Sequence, residues 1–384
     1  MDPIIDTAEL AAFCKRAANS KFITVDTEFI RDKTYWPRLC LVQVATEDEA
    51  VIIDAVAPDI DLASLFDLMA DQNVLKVFHA ARQDVEIFVH LADMIPTPLF
   101  DTQVAAMVCG FGDSVGYDKL VASLVKEHID KSLRFTDWSR RPLKQKQLDY
   151  ALSDVTHLRV VYEKLADRLE KNQRESWLAE EMEILTAPGT YRQDPNLSWR
   201  RIKSRLRKSL HLAILRELAA WREIEAQERD VPRNRVLRDE AMTDIAAHEP
   251  STVSELYGLR SMAREKCGKA VAETVIGVIA KAKALPKSDH PKVEHIRNGP
   301  NGMGPAGDLL KVLLKLRCEQ NNVALKLVAT ADEIDAIARD DDADVPALHG
   351  WRRELFGQDA LDLKHGKLAL AADGSELKVI QINQ

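Results

Sequence analysis

The sequence predicts an α/β domain with a central sheet, followed by two all-α modules. Three observations predict it. Short β-rich runs alternate with helical stretches over about the first 170 residues. From about residue 190 no convincing strand appears until the last few residues. Finally, Pro286, Pro291, Pro300 and Pro305 with Gly299, Gly302, Gly304 and Gly307 form a dense group of helix breakers that divides the helical part.

The strands are expected at residues 22–26, 40–45, 51–54 and 75–78, with helices at 62–70 and 82–91. The clearest helix runs over about residues 144–171. There Leu148, Leu152, Val155, Leu158, Tyr162, Leu165 and Leu169 recur at spacings of three and four and make one apolar stripe. Further helices are expected at 210–228, 241–248 and 269–284, then at 308–321, 331–338 and 348–356. Each module runs from a long helix through a polar loop to short helices. Leu309-Leu310-Lys311-Val312-Leu313-Leu314 resembles His211-Leu212-Ala213-Ile214-Leu215, so the pair reads as a degenerate tandem repeat. The expected organisation is a catalytic domain over 1–190, helical modules over 208–286 and 308–370, and a linker over 287–307.

Composition narrows the class. The 384 residues are 46% hydrophobic and 30% charged, as in a soluble globular protein. No apolar run reaches the roughly 20 residues that span a bilayer. The Met1-Asp2-Pro3 start has no basic n-region, and no secretory signal is expected. The five cysteines form no CxxC pair, which argues against a zinc site or a disulfide framework and fits a reducing cytoplasm. No heptad repeat or other self-association signal stands out, so a monomer is expected. A net charge of −8 weighs mildly against a nucleic-acid partner.

Three polar elements carry the chemistry. In Val25-Asp26-Thr27-Glu28-Phe29 strand alternation puts Asp26 and Glu28 on one face, with Cα atoms about 7 Å apart. Two like charges at the end of a half-buried strand repel and lose hydration, unless a hard divalent cation such as Mg²⁺ or Mn²⁺ lies between them. The plainer reading is a strand running out into a solvated loop. Asp84 sits in the first turn of a helix after the 75–78 strand, where it also complements the helix dipole. Tyr150 and Asp154 are four apart on the long helix and share a face rotated away from the apolar stripe, which also suits a hydrogen-bonded surface pair. Taken together, four carboxylates and a phenol make a ligand set for two divalent ions about 3.5–4 Å apart, with a hydroxyl to orient water.

In this order, the three segments resemble the exonuclease motifs of the DEDD superfamily, and within it the ribonuclease D family. The middle motif is His79 to Phe88, and the third is Tyr150-Ala151-Leu152-Ser153-Asp154-Val155. Tyr150 four residues before Asp154 resembles the tyrosine (DEDDy) subclass; the histidine subclass would carry His where Asp149 stands. Residues 31–37, Asp101-Thr102-Gln103, Asp130-Lys131-Ser132 and Thr136 to Leu143 look alike too. The resemblance implies a ribonuclease H-like domain with a mixed sheet and two HRDC-like domains, the second divergent. By it, Asp26 would bridge both metals, Glu28 and Asp154 would complete the site of the ion that activates water, Asp84 would hold the second ion, and Tyr150 would orient the nucleophile. The implied reaction is 3′→5′ hydrolysis of RNA to nucleoside 5′-monophosphates, on tRNA precursors and other small structured RNAs.

Residues 198–208 carry six basic residues and no acid. Within them Trp199, Arg200, Arg201 and Lys203 suit base stacking and phosphate contacts, or simply a solvated linker. Phe29, His79 and Gln83 lie beside the proposed ligands, placed equally for the terminal nucleotide or for packing. Asp340, Asp341, Asp342 and Asp344 form an acidic patch expected to face solvent, away from RNA. Two rivals stand beside exoribonuclease action: the same chemistry on DNA, which the acids do not distinguish, and an RNA-binding scaffold with a relic site.

Overall fold

The computed structural model describes residues 2–133, 136–265, 267–292 and 304–382. Five strands are built from β-branched and aromatic residues: β1 (Phe22–Ile30), β2 (Arg38–Ala45), β3 (Ala50–Asp54), β4 (Leu75–Phe78) and β5 (Leu99–Asp101). Their order is β3-β2-β1-β4-β5. The sheet is mixed, with β1–β2 and β2–β3 antiparallel and β1–β4 and β4–β5 parallel. Seven helices accompany it: α1 (Thr7–Ala17), α2 (Ala63–Ala70), α3 (Arg82–Ala92), α4 (Thr102–Val108), α5 (Tyr117–Leu124), α6 (Gln145–Lys171) and α7 (Glu175–Thr186).

The first helical module holds α8 (Ser209–Glu228), α9 (Arg233–Val236), α10 (Asp239–His248), α11 (Val253–Gly258) and α12 (Lys269–Ala284). The second holds α13 (Gly304–Asn321), α14 (Leu325–Val328), α15 (Ala331–Arg339), α16 (Gly350–Arg352) and α17 (Gln358–Lys364), and a hairpin of β6 (Leu368–Asp373) and β7 (Glu376–Gln381) follows. A π-turn, Arg353–Gly357, joins α16 to α17 without interruption. Both modules therefore run long helix, single-turn helix, helix of nine or ten residues, short helix. Of the breaker-rich stretch, residues 293–303 lie outside the described residues. Among the described residues no helix is long and apolar enough to cross a membrane, and the cysteines are free thiols.

The two modules differ in how they are held. The first has its own core, with Ile214, Leu218, Met242, Ile245, Val275 and Ile279 buried together. It meets the catalytic domain through the loop after β1. There the Tyr35 hydroxyl donates to Glu223 and accepts from Arg233 (2.9 Å), while Asp230 accepts the Tyr35 and Trp36 amides at 3.0 and 2.9 Å. Among the described residues the second module has no separate core. Leu310, Leu313, Leu314, Val328 and Phe356 belong to the same buried cluster as Ile23, Val77 and Phe88. Trp177 stacks on Trp351 with ring centroids 4.4 Å apart, and Ala324 N–H donates to the Met107 carbonyl at 3.0 Å. Gly110, at φ +79°, is required at this seam. A Cβ there would lie 2.4 Å from Asn322.

Candidate active site

Strand β1 delivers the acids as alternation requires. Asp26 pairs with Gln43 and Glu28 with Leu41 across the β1–β2 ladder, so both face α6. A bulge follows at once between Glu28 and Phe29 and shifts the register at the cavity rim, before pairing resumes at Phe29 with Leu39. Helix α6 is drawn onto this face of the sheet, because the Thr24 hydroxyl donates to the Val155 carbonyl at 2.8 Å. That seats Asp154 over β1. The ligand oxygens of Asp26, Glu28 and Asp154 all lie within 4.8 Å of one another.

Asp84 arrives from the other side. The turn before α3 needs Ala80 at φ +59°, and the Asp101 carboxylate steadies it. Asp101 accepts the amides of Ala80 (3.0 Å), Ala81 (2.8 Å) and Gln103 (2.8 Å). Asp84 is then buried in the first turn of α3, where the Thr27 hydroxyl donates to its Oδ1.

Asp26, Glu28, Asp84 and Asp154 line a cavity of about 340 Å³, together with Phe29, His79, Gln83 and Tyr150. His79 Nδ1 lies 3.0 Å from Thr102 Oγ1, and its ring is tilted against Tyr117 at 5.3 Å. Thus the expected acids, Tyr150 and the three flanking residues all come together. Tyr150 and Asp154 share a face of α6, as their spacing requires, and the Tyr150 hydroxyl donates to Asp154. One expectation is corrected: that face is not rotated out to the surface, because α6 lies on the sheet and Asp154 is only 9% exposed beside the apolar stripe.

Crowding shows in the titration behaviour. Burial, then the charge of Asp154, holds Asp26 well above the usual carboxylate range. Burial and then Asp26 do the same to Asp84. Burial raises Asp154 to about 7, against the pull of the Tyr150 hydroxyl that donates to it. Burial and the neighbouring acids keep Tyr150 a neutral phenol, far above its ordinary range. Concentrated, mutually repelling hard oxygens are the donor set a divalent cation stabilises, so the residues fit such ions.

Three contributors escape sequence reasoning. Tyr117 donates to the Asp154 carbonyl at 2.7 Å and braces α6. Gln43, fully buried opposite Asp26, has no partner for either amide atom among the described residues. An amide inside an otherwise apolar strand is its visible signal. Thr27 hides because it lies between the two acids and points the other way.

A larger cleft, about 950 Å³, lies away from this chemistry between residues 31–35 and the first helical module. Arg201 lines it, but its five arginines face five acids, so it offers no concentrated positive field. Arg200 and Lys203 are exposed, whereas Trp199 packs partly against the first module's core.

A family model described as 3′–5′ exonuclease matches residues 1–170, and one described as HRDC domain matches 211–279. Ribonuclease D of Nitrobacter hamburgensis is 53% identical over 373 residues, covering 97% of each chain. The chain belongs to the ribonuclease D family. Ribonuclease D of Granulibacter bethesdensis is 49% identical over 378 residues, 98% of this chain and 96% of the relative. The crystal structure of Escherichia coli RNase D, an exoribonuclease involved in structured RNA processing, superposes with a TM-score of 0.83 at 28% identity, over 95% of this chain and 99% of that one. With the family comes the activity, that of a 3′→5′ exoribonuclease, and exonucleases of this fold use divalent metals.

Proposed function

We propose that the cavity between β1, α3 and α6 is the hydrolytic site. It takes the 3′ end of tRNA precursors and other small structured RNAs and releases nucleoside 5′-monophosphates in the cytoplasm, with the protein acting as a monomer. The convergence of Asp26, Glu28 and Asp154 oxygens within 4.8 Å carries this reading. Asp26, Glu28 and Asp154 hold one divalent ion, Mg²⁺ or Mn²⁺, and Asp26 with Asp84 holds a second. Two such ions supply a nucleophile at neutral pH and stabilise charge on the attacking and leaving oxygens.

The chain's own groups do the rest. Tyr150, with its hydroxyl at Asp154, orients the attacking water. Phe29, His79 and Gln83 seat the terminal nucleotide against the cavity wall. Arg200, Arg201 and Lys203 meet phosphates upstream, and the outer part of Trp199 stacks on a base. The second helical module is a divergent HRDC copy whose main work is structural, and domain limits of 1–190, 208–286 and 308–370 follow.

The deciding assay gives 5′-labelled RNA and DNA of one sequence to the protein with Mg²⁺ or Mn²⁺. A ladder shortening from the 3′ end of RNA is expected; cleavage of circular RNA, or a clear preference for DNA, overturns the reading. For the role of Tyr150, Tyr150→Phe is expected to lower kcat by about a hundred-fold with KM changed less than about three-fold, in steady-state release of nucleotide from a short RNA.

A further inference from the structure

On the face of β1 away from α6, Ile23 and Val25 are apolar and fully buried, and Val42 lies across the ladder from Thr27. Valine would suit position 27 by packing alone. Thr27 is instead a hydroxyl only 6% exposed, and such a group is costly there unless it has a partner. Its partner is Asp84 Oδ1, to which it donates. A hydroxyl has one proton to give. That bond occupies one lone pair of Oδ1 and restrains the rotation of a carboxylate that lines the cavity.

We infer that Thr27 is a positioning residue for Asp84, orienting one carboxylate oxygen toward the second cation. Three successive residues of one strand thus serve both sides of the site: Asp26 and Glu28 toward α6, Thr27 toward α3. The Thr27 side chain points away from Glu28 and Asp154, so its influence is selective. The inference rests on the reading of Asp84 as a cation ligand.

The test is calorimetric titration of the intact, RNA-free protein with Mn²⁺, beside Mg²⁺ dependence of kcat. Thr27→Val keeps the shape and β-branching, so circular dichroism should match the wild type, with Tm lowered by no more than a few degrees for the lost hydrogen bond. Expected is a first Mn²⁺ equivalent bound within about two-fold of wild type and a second weakened by about ten- to a hundred-fold, as for other groups that orient metal ligands. Half-saturating Mg²⁺ should rise in parallel with little change in KM for RNA, and Thr27→Ser should restore both. A Thr27→Val isotherm that superimposes on wild type, while Asp84→Asn loses the second equivalent, overturns the role of Thr27 alone. Equal weakening of both equivalents also overturns it. An Asp84→Asn protein that still binds two equivalents overturns the reading of Asp84 and the inference with it.

Discussion

Replacing Asp26 by Asn is expected to cut RNA hydrolysis by about three orders of magnitude or more while stabilising the metal-free protein above pH 7. On the proposed reading Asp26 would serve both cations and so touch the largest electrostatic contribution to the reaction. Without cations its charge is a burden, because its oxygens lie within 4.8 Å of those of Glu28 and Asp154. Asp26 and Asp154 both have folded-state pKa values above the ordinary carboxylate range, with Asp154 at about 7. A carboxyl with a raised folded pKa binds its proton more tightly in the native state. Its favourable contribution is full below the unfolded value near 4 and is lost as pH rises toward the folded value. Metal-free wild type should therefore lose stability between about pH 4 and 7, and Mg²⁺ should return it at pH 8. The Asp26→Asn change removes one of the repelling charges, so both the pH slope and the Mg²⁺ effect on Tm shrink. Thermal melts of both proteins from pH 5 to 8, with and without Mg²⁺, measure this. An Asp26→Asn protein within about ten-fold of wild-type activity, or less stable than wild type at pH 8 without metal, contradicts it.

The second large effect is structural. Arg352 of α16 donates to Glu181 of α7 and to the Leu327 carbonyl at 2.7 Å, and the side chains of Arg352 and Glu181 are only 9% and 12% exposed. The guanidinium also sits 4.7 Å from the Trp351 ring centroid. Arg352→Met leaves the Glu181 carboxylate buried without a counter-charge. The expected loss is about 3–5 kcal/mol in urea unfolding. Adding Glu181→Met should recover a large part, since an apolar pair of similar volume replaces a buried ion pair well. Because the catalytic domain and the second module share one core, both should unfold in the same transition as seen by fluorescence and by activity. A single variant within about 1 kcal/mol of wild type, or a separate early transition for α13–α17, would count against the shared core.

Much of the site is legible in the chain itself. Strand alternation places Asp26 and Glu28 together without any tertiary information, and the three–four spacing locates α6 to within a residue. The burial of Asp154 is not legible, because an apolar-stripe count sends every polar residue to the surface. Long-range contacts, such as the hydrogen bond from Thr24 to Val155 between residues 131 positions apart, reveal which way α6 lies. Strand β5 is three residues long, too short for any periodicity to declare it. Asp101 enters the sequence reading only through the likeness of Asp101-Thr102-Gln103, and its hold on the Ala80–Ala81 turn appears only when β4 and β5 are adjacent. The helical modules read in sequence as a degenerate repeat with a divergent second copy, and nothing in that likeness shows how each is attached. Their different attachment is decided by distant contacts such as Gly110 with Asn322.

That attachment has a consequence for synthesis. The ribosome finishes the sheet and α7 long before it makes α13, and the intervening module closes its own core first. At about 5–20 residues per second, roughly ten to forty seconds separate the end of α7 from the end of α17. Through that interval the surface around Met107, Leu178 and Trp177 waits uncovered for residues 310–360. The nascent nuclease is thus catalytically spelled out early but structurally finished last, and its window of exposure to chaperones and proteases is written into the order of its modules.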